Sequence, residues 1–297
     1  MRKVFFTLFM AAIFSVGSIG TARAELFNRG CGLIYDSDQD ITWYDFTYVA
    51  SNWADANAWA DQLDYAGYSD WRLPTMPPSP SSITETCLPD DGNDRGWNKT
   101  TSEMGHLYYT ELANLGYYVP QATCGTVQDG WGLNNTGPFT NLQNDPSCAY
   151  WTDTASGSHH WNFSFYSGGQ GTAVDSACGY AIAVRPGDVA VTPPVANAGL
   201  DQVVFDKVTL DGGSSSDPGG TIISYQWDLL HWEDPAYNRT AEGVTPMVSN
   251  LEKGFYYVTL TVTSDNGCST TDTVLLAAAG QCRGGGVVVP TFLLLGE

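Results

Sequence analysis

Apolar and polar positions change period several times along the chain, and each change marks an element. Gly32-Leu-Ile-Tyr-Asp36 and Ile41-Thr-Trp-Tyr44 are short apolar runs on either side of the acidic turn Asp36-Ser-Asp-Gln-Asp40, which predicts a hairpin. From 52 to 63 the period lengthens: Trp53, Ala56, Ala60 and Leu63 fall on one helical face, with Ser51 or Asn52 available as N-cap. A second helix is predicted from Glu103 to Leu115, capped by Thr101 or Ser102, closed by Gly116 and apolar at Met104, Leu107, Tyr108, Leu112 and Leu115. Tyr150-Trp-Thr152, His160-Trp-Asn-Phe-Ser-Phe-Tyr166 and Tyr180-Ala-Ile-Ala-Val184 read as closing strands. Two helices among short strands predict an α+β first domain.

The first helix runs into Asp64-Tyr-Ala-Gly-Tyr-Ser-Asp-Trp-Arg-Leu-Pro-Thr75, around which that domain is expected to pack. Gly67 suits a turn with positive φ, Trp71 and Leu73 share one face of an extended stretch, and Pro74 prevents a helix from restarting. Arg72, held between apolar neighbours, is expected to pair with a carboxylate or backbone carbonyls, with ligand binding as the other reading. Met76 to Thr100 and Val119 to Ser147 lack periodicity and are rich in Pro, Gly, Asn, Asp and Ser. Loops of that length inside a domain are functional or disordered. They carry Trp97 and Trp131, which are candidate ligand-binding residues through stacking on sugar rings or anchoring a protein; plugging the loops onto the core is the alternative.

The prolines between Pro186 and Pro194 place a boundary there. The expected organisation is a leader over 1–24, a mixed domain over 25–188, a linker over 189–194, a second domain over 195–279 and a tail over 280–297. The leader reading rests on Arg2-Lys3, the apolar run from Val4 to about Val16 and Ala22-Arg-Ala24, which together form a secretory signal. The destination is extracellular or the cell surface, with the periplasm as the other compartment such a leader serves. The tail, with Val287 to Pro290 and Phe292 to Leu295, falls short of the about 20 apolar residues of a membrane span.

Charge narrows the partners. The chain has 12 Lys and Arg against 32 Asp and Glu, a net charge of −20 that moves near −23 once Arg2, Lys3 and Arg23 leave with the leader. Such a surface repels nucleic acid and anionic lipid. All seven cysteines follow the leader, so disulfides are expected, with at least one cysteine left over. Cys87 with Cys124 and Cys148 with Cys178 is one pairing that ties the loop-rich region, and Cys268 reaches Cys282 if the last strand folds back. No CxxC or CxxCH occurs, which removes the usual zinc, redox and c-type haem motifs.

Asp36, Asp38 and Asp40 alternate as calcium-loop carboxylates do and are the candidate metal ligands, with calcium the one cofactor weighed. Against an EF-hand, Ile41 replaces the glycine and Thr47 the bidentate glutamate, so a solvated turn with Asx-type bonds is the competing reading. His106 lacks a second histidine at a metal spacing and reads as a core or surface residue. His159 and His160 point to opposite faces of a strand, and Ser167-Gly-Gly-Gln-Gly171 lacks the following helix of a phosphate cradle. Asp217 before Pro218 is expected to brace a turn. No Ser/His/Asp set or paired carboxylate has a recognisable context, so catalytic residues are not assigned.

Two stretches resemble known families. Asn52-Trp-Ala-Asp-Ala-Asn-Ala-Trp-Ala-Asp-Gln-Leu63 followed by Gly67-Tyr-Ser-Asp-Trp-Arg-Leu-Pro-Thr75, with Gly32-Leu-Ile-Tyr-Asp36, Ser102-Glu-Met-Gly-His-Leu107, Phe139-Thr-Asn-Leu142 and Tyr180-Ala-Ile-Ala-Val-Arg-Pro-Gly-Asp188, resembles the domain at the C-terminus of the Legionella collagen-like adhesin. The Trp-x-x-Ala and Arg-Leu-Pro-Thr arrangement is also similar to the formylglycine-generating-enzyme family, which implies a C-type-lectin-like fold; the lectin calcium and sugar motifs Glu-Pro-Asn, Gln-Pro-Asp and Trp-Asn-Asp are absent. Ala196-Asn-Ala-Gly-Leu-Asp-Gln202, Val208-Thr-Leu-Asp-Gly212, Gly220-Thr-Ile-Ile-Ser-Tyr-Gln-Trp-Asp228 and Tyr257-Val-Thr-Leu-Thr-Val-Thr263 resemble a polycystic kidney disease (PKD) domain. That implies an immunoglobulin-like β-sandwich with Trp227 in its core, although Leu229-Leu-His-Trp-Glu-Asp-Pro235 replaces the usual Gly-Asp-Gly and is expected to form a longer, aromatic loop.

The resemblances imply an exported, non-enzymatic binding or adhesion protein whose partner is a glycan or an extracellular or cell-surface protein. Two other readings stay open: a structural component of a surface assembly, built by homo-oligomerisation, and an enzyme of the formylglycine-generating type. The last needs a reactive cysteine pair, and Cys148 and Cys178 lack the matching surroundings.

Overall fold

The computed structural model describes residues 25–77, 84–189 and 191–279. The leader, the C-terminal tail and Cys282 lie outside these residues.

Strands β1 (Leu26–Gly30), β2 (Leu33–Asp36) and β3 (Ile41–Ala50) form a meander and α1 (Trp53–Asp61) follows; α2 (Glu103–His106) continues directly into a π-helical turn (Leu107–Glu111). Strands β4 (Tyr150–Ser156), β5 (His159–Ser164), β6 (Gly169–Val174) and β7 (Gly179–Pro186) complete a seven-stranded sheet of order β1-β2-β3-β7-β4-β5-β6. Its neighbours are antiparallel except β4 and β7.

Both faces of this sheet are covered, which is why β7 reads apolar throughout. Ile34, Trp43, Ile182 and Val184 meet Met104, Leu107 and Tyr108 on one face. Leu33, Ala181 and Ala183 meet Ala56 and Ala60 of α1 on the other. Small residues thus lie under the helix and large ones under the π turn. Helix α1 starts on reciprocal caps: Asn52 accepts from the Asp55 amide, while Asp55 accepts from the amide and hydroxyl of Ser51.

The helical period predicted one helix as far as Leu115. Instead the ladder widens after His106, where the Leu112 amide donates to the Leu107 carbonyl five residues back, and the chain turns at Ala113 with φ 51°. Ala113, not Gly116, makes the turn. Gly116 is required for another reason, because a Cβ there would lie 2.6 Å from the Tyr109 hydroxyl.

The segment around Trp71 is fixed from two sides. Arg72 pairs with Val184 of β7 through its backbone, and its guanidinium makes a two-pronged bond to Glu103 at 2.9 and 2.7 Å. The same glutamate accepts from the Thr75 amide. In the aperiodic stretch that follows, Lys99 is buried and its ammonium donates to Thr86 Oγ1, Leu88 O and Asp91 Oδ1. Burial pushes the Asp91 carboxyl up, but Lys99 and the Asn93 amide outweigh it and hold it well below the ordinary range. With the Cys87–Cys124 disulfide, this buried lysine orders a loop that has no apolar period of its own.

The second domain consists of β8 (Gln202–Val204), β9 (Lys207–Thr209), β10 (Ile222–His231), β11 (Arg239–Glu242), β12 (Met247–Ser249), β13 (Gly254–Ser264) and β14 (Ser269–Ala278). They form a five-stranded sheet of order β11-β10-β13-β14-β8 facing the pair β12-β9. Trp227, Leu229, Tyr256, Val258, Leu260 and Val262 alternate into the core with Val208 and Leu210 opposite. The Trp227 indole donates to Gly243 O. Leu229 to His231, expected in a loop, continue β10 because the backbone keeps pairing with β13 as far as His231 and Tyr256; the chain leaves the sheet only at the 3-10 turn Pro235–Tyr237. Asp217 braces its turn, accepting from the Gly219 amide and the Ser264 hydroxyl.

In place of the Cys268–Cys282 bridge that the sequence allowed, a Cys31–Cys268 disulfide joins the domains across a sequence separation of 237. The β13–β14 turn carries Cys268 to the β1–β2 turn, where the Ala66 amide donates to Asn266 O and the Tyr65 ring lies against Gly267. Cys148 and Cys178 face each other with sulfurs 3.8 Å apart and carry free thiols. The chain as a whole is β-rich, with α1 and the α2–π segment as its main helices among the described residues.

Candidate ligand-binding surface

Pairing between β3 and β7 follows a steady register from Ile41–Pro186 to Tyr44–Ala183 and resumes only at Tyr48–Ala181. Three residues of β3 thereby oppose one of β7, a bulge across which Tyr44 and Tyr48 keep to one face. Asp45 turns inward, where the amides of Thr140 and Asn141 and the Thr140 hydroxyl satisfy it. Phe46 turns out and is 44% exposed.

Beside the bulge a row of aromatic rings crosses the domain. From Tyr65 at the domain joint it passes to Tyr44 at 4.3 Å between centroids, to Phe46 at 5.7 Å, to Trp59 of α1 at 6.1 Å and to Tyr48 at 5.2 Å. Tyr48 and Trp59 are nearly parallel, at 2° between planes. They line an open cleft of about 560 Å³ with Asp55, Ala58, Gln62, Leu63 and Asp64.

The polar groups at this cleft are pre-set. The Tyr48 hydroxyl donates to Asp55 Oδ1 at 3.1 Å, and that bond to a carboxylate raises the phenol pKa. The Ser51 amide and hydroxyl, with Tyr48, lower that of Asp55, which is therefore an ionised acceptor at neutral pH. At the inner end of the row, burial pushes the Tyr65 phenol up to about 12, and its hydroxyl donates to Cys31 O. The cleft thus offers apolar ring surface, a fixed carboxylate and the amide of Gln62. This combination suits a ligand with C–H faces and hydroxyl edges.

The residues singled out from the sequence lie elsewhere. Trp97 is half-buried, edge-on to Tyr118, with an indole N–H that has no partner. Trp131 is half-buried between Tyr117 and Tyr166, both in edge contact. Neither joins the aromatic row.

Asp36, Asp38 and Asp40 do not converge on one point. Asp40, with φ 51°, accepts from the Tyr35 hydroxyl. Asp36 is buried and accepts from the amides of Asp38 and Gln39 and from Gln39 Nε2, an Asx-type turn. Asp36 and Asp38 instead face His106 and Glu111. Sequence reasoning missed both: this grouping joins segments far apart in the chain, and the aromatic row depends on how α1 packs back onto β3.

Outside the first domain, the end of β10 and β13 expose a second apolar patch. Trp232 stacks over Tyr257 at 5.5 Å and 21°, next to Leu230.

Comparison with known proteins identifies residues 198–277 as a PKD domain, matched by the family model described as "K319L-like, PKD domain". The human Dyslexia-associated protein KIAA0319 is 36% identical over 88 residues, which cover 29% of this chain and 8% of that protein. The human Low-density lipoprotein receptor-related protein 11 is 32% identical over 148 residues, or 46% of this chain and 29% of that protein. The chain therefore spans less than a third of either relative. Among solved structures, the PKD1 domain from the Vibrio cholerae metalloprotease PrtV is 34% identical with a TM-score of 0.25, covering 29% of this chain and 98% of that one.

Proposed function

We propose that this is an exported, non-enzymatic adhesion-type protein that binds a neutral saccharide on the Tyr48–Trp59 cleft. The PKD domain holds that surface away from whatever the chain is attached to. The observation that carries this reading is the half-buried aromatic row, open to solvent at Phe46, with an ionised, hydrogen-bonded carboxylate at its edge. Ring faces take up the C–H face of a pyranose, while Asp55 and Gln62 take up its hydroxyls. Glycans of uniform negative charge fit poorly, because the surface around the cleft shares the chain's excess of acid, 32 acidic against 12 basic residues overall.

The PKD domain and its similarity to extracellular-type human proteins support an extracellular or cell-surface setting, and the leader-like N-terminus supports export. No helix among the described residues is long and apolar enough to cross a membrane. For the first domain, the likeness of residues 30–188 to the Legionella adhesin C-terminal domain supports an adhesin role and a C-type-lectin-like descent.

A glycan array probed with the purified exported chain tests the proposal. Retention should fall about tenfold in Trp59→Ala and in Tyr48→Ala, the loss of one stacking contact, with melting temperatures recorded for each variant. Trp97→Ala and Trp131→Ala should retain binding. Flat signals for every saccharide, or losses confined to the Trp97 and Trp131 variants, contradict it.

A further inference from the structure

On the sheet face opposite the aromatic cleft, α2 and its π turn present a second constellation. His106 and Glu111 are five residues apart, which in a regular α-helix leaves them roughly 140° apart around the axis. The π turn, with its wider circuit, brings them together: His106 Nε2 lies 3.3 Å from Glu111 Oε1. Such turns recur at functional sites. Asp36 at the end of β2 completes a group whose donor atoms all lie within 4.8 Å of one another, and Asp38 Oδ2 lies 3.8 Å from His106 Nε2.

The one cation this group can supply itself is a protonated His106. The Asp36 side chain is buried and that of Glu111 is only 2% exposed, so two carboxylates sit side by side out of water. Among the described residues, neither meets a lysine or arginine, and Glu111 has His106 as its one side-chain partner. Asp36 is oriented by Gln39, whose amide bonds both Asp36 Oδ2 and Glu103 O and so ties the β2–β3 turn to α2. That is the outer support a metal ligand requires.

We propose that Asp36, His106 and Glu111, with Asp38 at the solvent side, bind a divalent metal ion of the zinc type. The imidazole decides the class: calcium selects all-oxygen sets, whereas one nitrogen with carboxylates suits zinc and its neighbours. Ligands about 2.1 Å from zinc in tetrahedral array are about 3.4 Å apart, close to the His106–Glu111 spacing. The ion pins the α2–π segment to the β2–β3 turn. Asp40, held by Tyr35, is outside the set. The proposal stands independently of saccharide binding.

The test is titration of the untagged, metal-stripped exported chain with zinc chloride, cobalt chloride and calcium chloride. The readouts are calorimetry and, for cobalt, visible absorption. Zinc should bind one to one, cobalt should give the intense visible bands of a low-coordinate site, and calcium should not compete. His106→Gln and Glu111→Gln should each weaken zinc by at least about tenfold, and Asp40→Asn should not. Circular dichroism establishes that each variant is folded. No zinc binding, zinc binding indifferent to both substitutions, or calcium binding ahead of zinc overturns the proposal; in the first case histidinium alone is the counter-charge.

Discussion

The two domains solve the same packing problem in opposite ways. In the PKD domain, β13 pairs with β14 over ten consecutive positions from Gly254–Ala278 to Thr263–Ser269 without a shift in register. One alternating face fills the core. In the first domain the equivalent central pairing, β3 with β7, breaks at Asp45–Thr47, the helix opposite widens into a π turn, and a loop is ordered by a buried lysine. Both sites proposed above lie beside these irregularities. Phe46 sits in the bulge against Tyr44 and Trp59, and the π turn places Glu111 against His106. Regular ladders give stability and a spacer; the departures from regularity give sites, and they require local ties to persist.

Substitutions that attack each strategy should separate the domains. The largest effect is expected from Trp227→Ala, which empties the centre of the sandwich and should cost about 3–5 kcal/mol. Differential scanning calorimetry should show the PKD transition move down while the other transition shifts little; equal movement of both would mean that the domains unfold as one unit.

Lys99→Met attacks the tie in the first domain. It removes the ammonium's bonds to Thr86, Leu88 and Asp91 and should cost about 1–2 kcal/mol at neutral pH, since Asp91 stays open to water. Because Asp91 is held below the ordinary carboxylate range in the fold, its contribution is complete above the unfolded value of about 3.9 and is lost as pH falls through the folded value. The gap in melting temperature between wild type and variant should therefore be constant from neutral to mildly acidic solution and close only in strong acid. A gap that closes near neutrality would contradict this assignment.

An effect of similar size is expected at the joint. Gly267 has φ 88°, and a Cβ there would lie 2.9 Å from the Tyr65 ring, so Gly267→Ala should cost about 1–2 kcal/mol. Limited proteolysis between the domains should speed up, and unchanged cutting would show that Cys31–Cys268 alone holds the joint. The smallest effect concerns Cys148 and Cys178, whose sulfurs must approach by about 1.8 Å to bond. Thiol labelling of the protein recovered from an oxidising compartment should find both blocked. Two labelled thiols would show that the pair stays reduced.

The parts legible in the sequence are those governed by short-range period. The hairpin at Asp36–Asp40, helix α1 with its Asn52 cap and the strands around Trp227 all repeat every two or every three to four residues. Glu111 carried one quiet signal: in α register it shares the core-facing row of Leu107 and Tyr108, where an acid does not belong, and the π turn leaves it buried but against His106. The aromatic row was only half legible: alternation puts Tyr44, Phe46 and Tyr48 on one face of β3, but nothing local says that Trp59 of α1 and Tyr65 come to lie against them. The Cys31–Cys268 bridge was not legible, since a pairing across 237 residues leaves no local trace and Cys282 offered a nearer partner. Trp97 and Trp131 attracted notice as aromatics on loops, but their tyrosine neighbours, which enclose them, come from other segments.

The central claim is that the Tyr48–Trp59 cleft, beside the break in the ladder, is where this protein meets its ligand. Hydrogen exchange on the full exported chain, with and without a saturating neutral oligosaccharide selected on the array, tests it most directly. Protection concentrated in residues 44–64, with the PKD strands unchanged, is the predicted result. Protection confined to the Trp97 and Trp131 loops or to the Trp232 patch, or none for any saccharide, would contradict it.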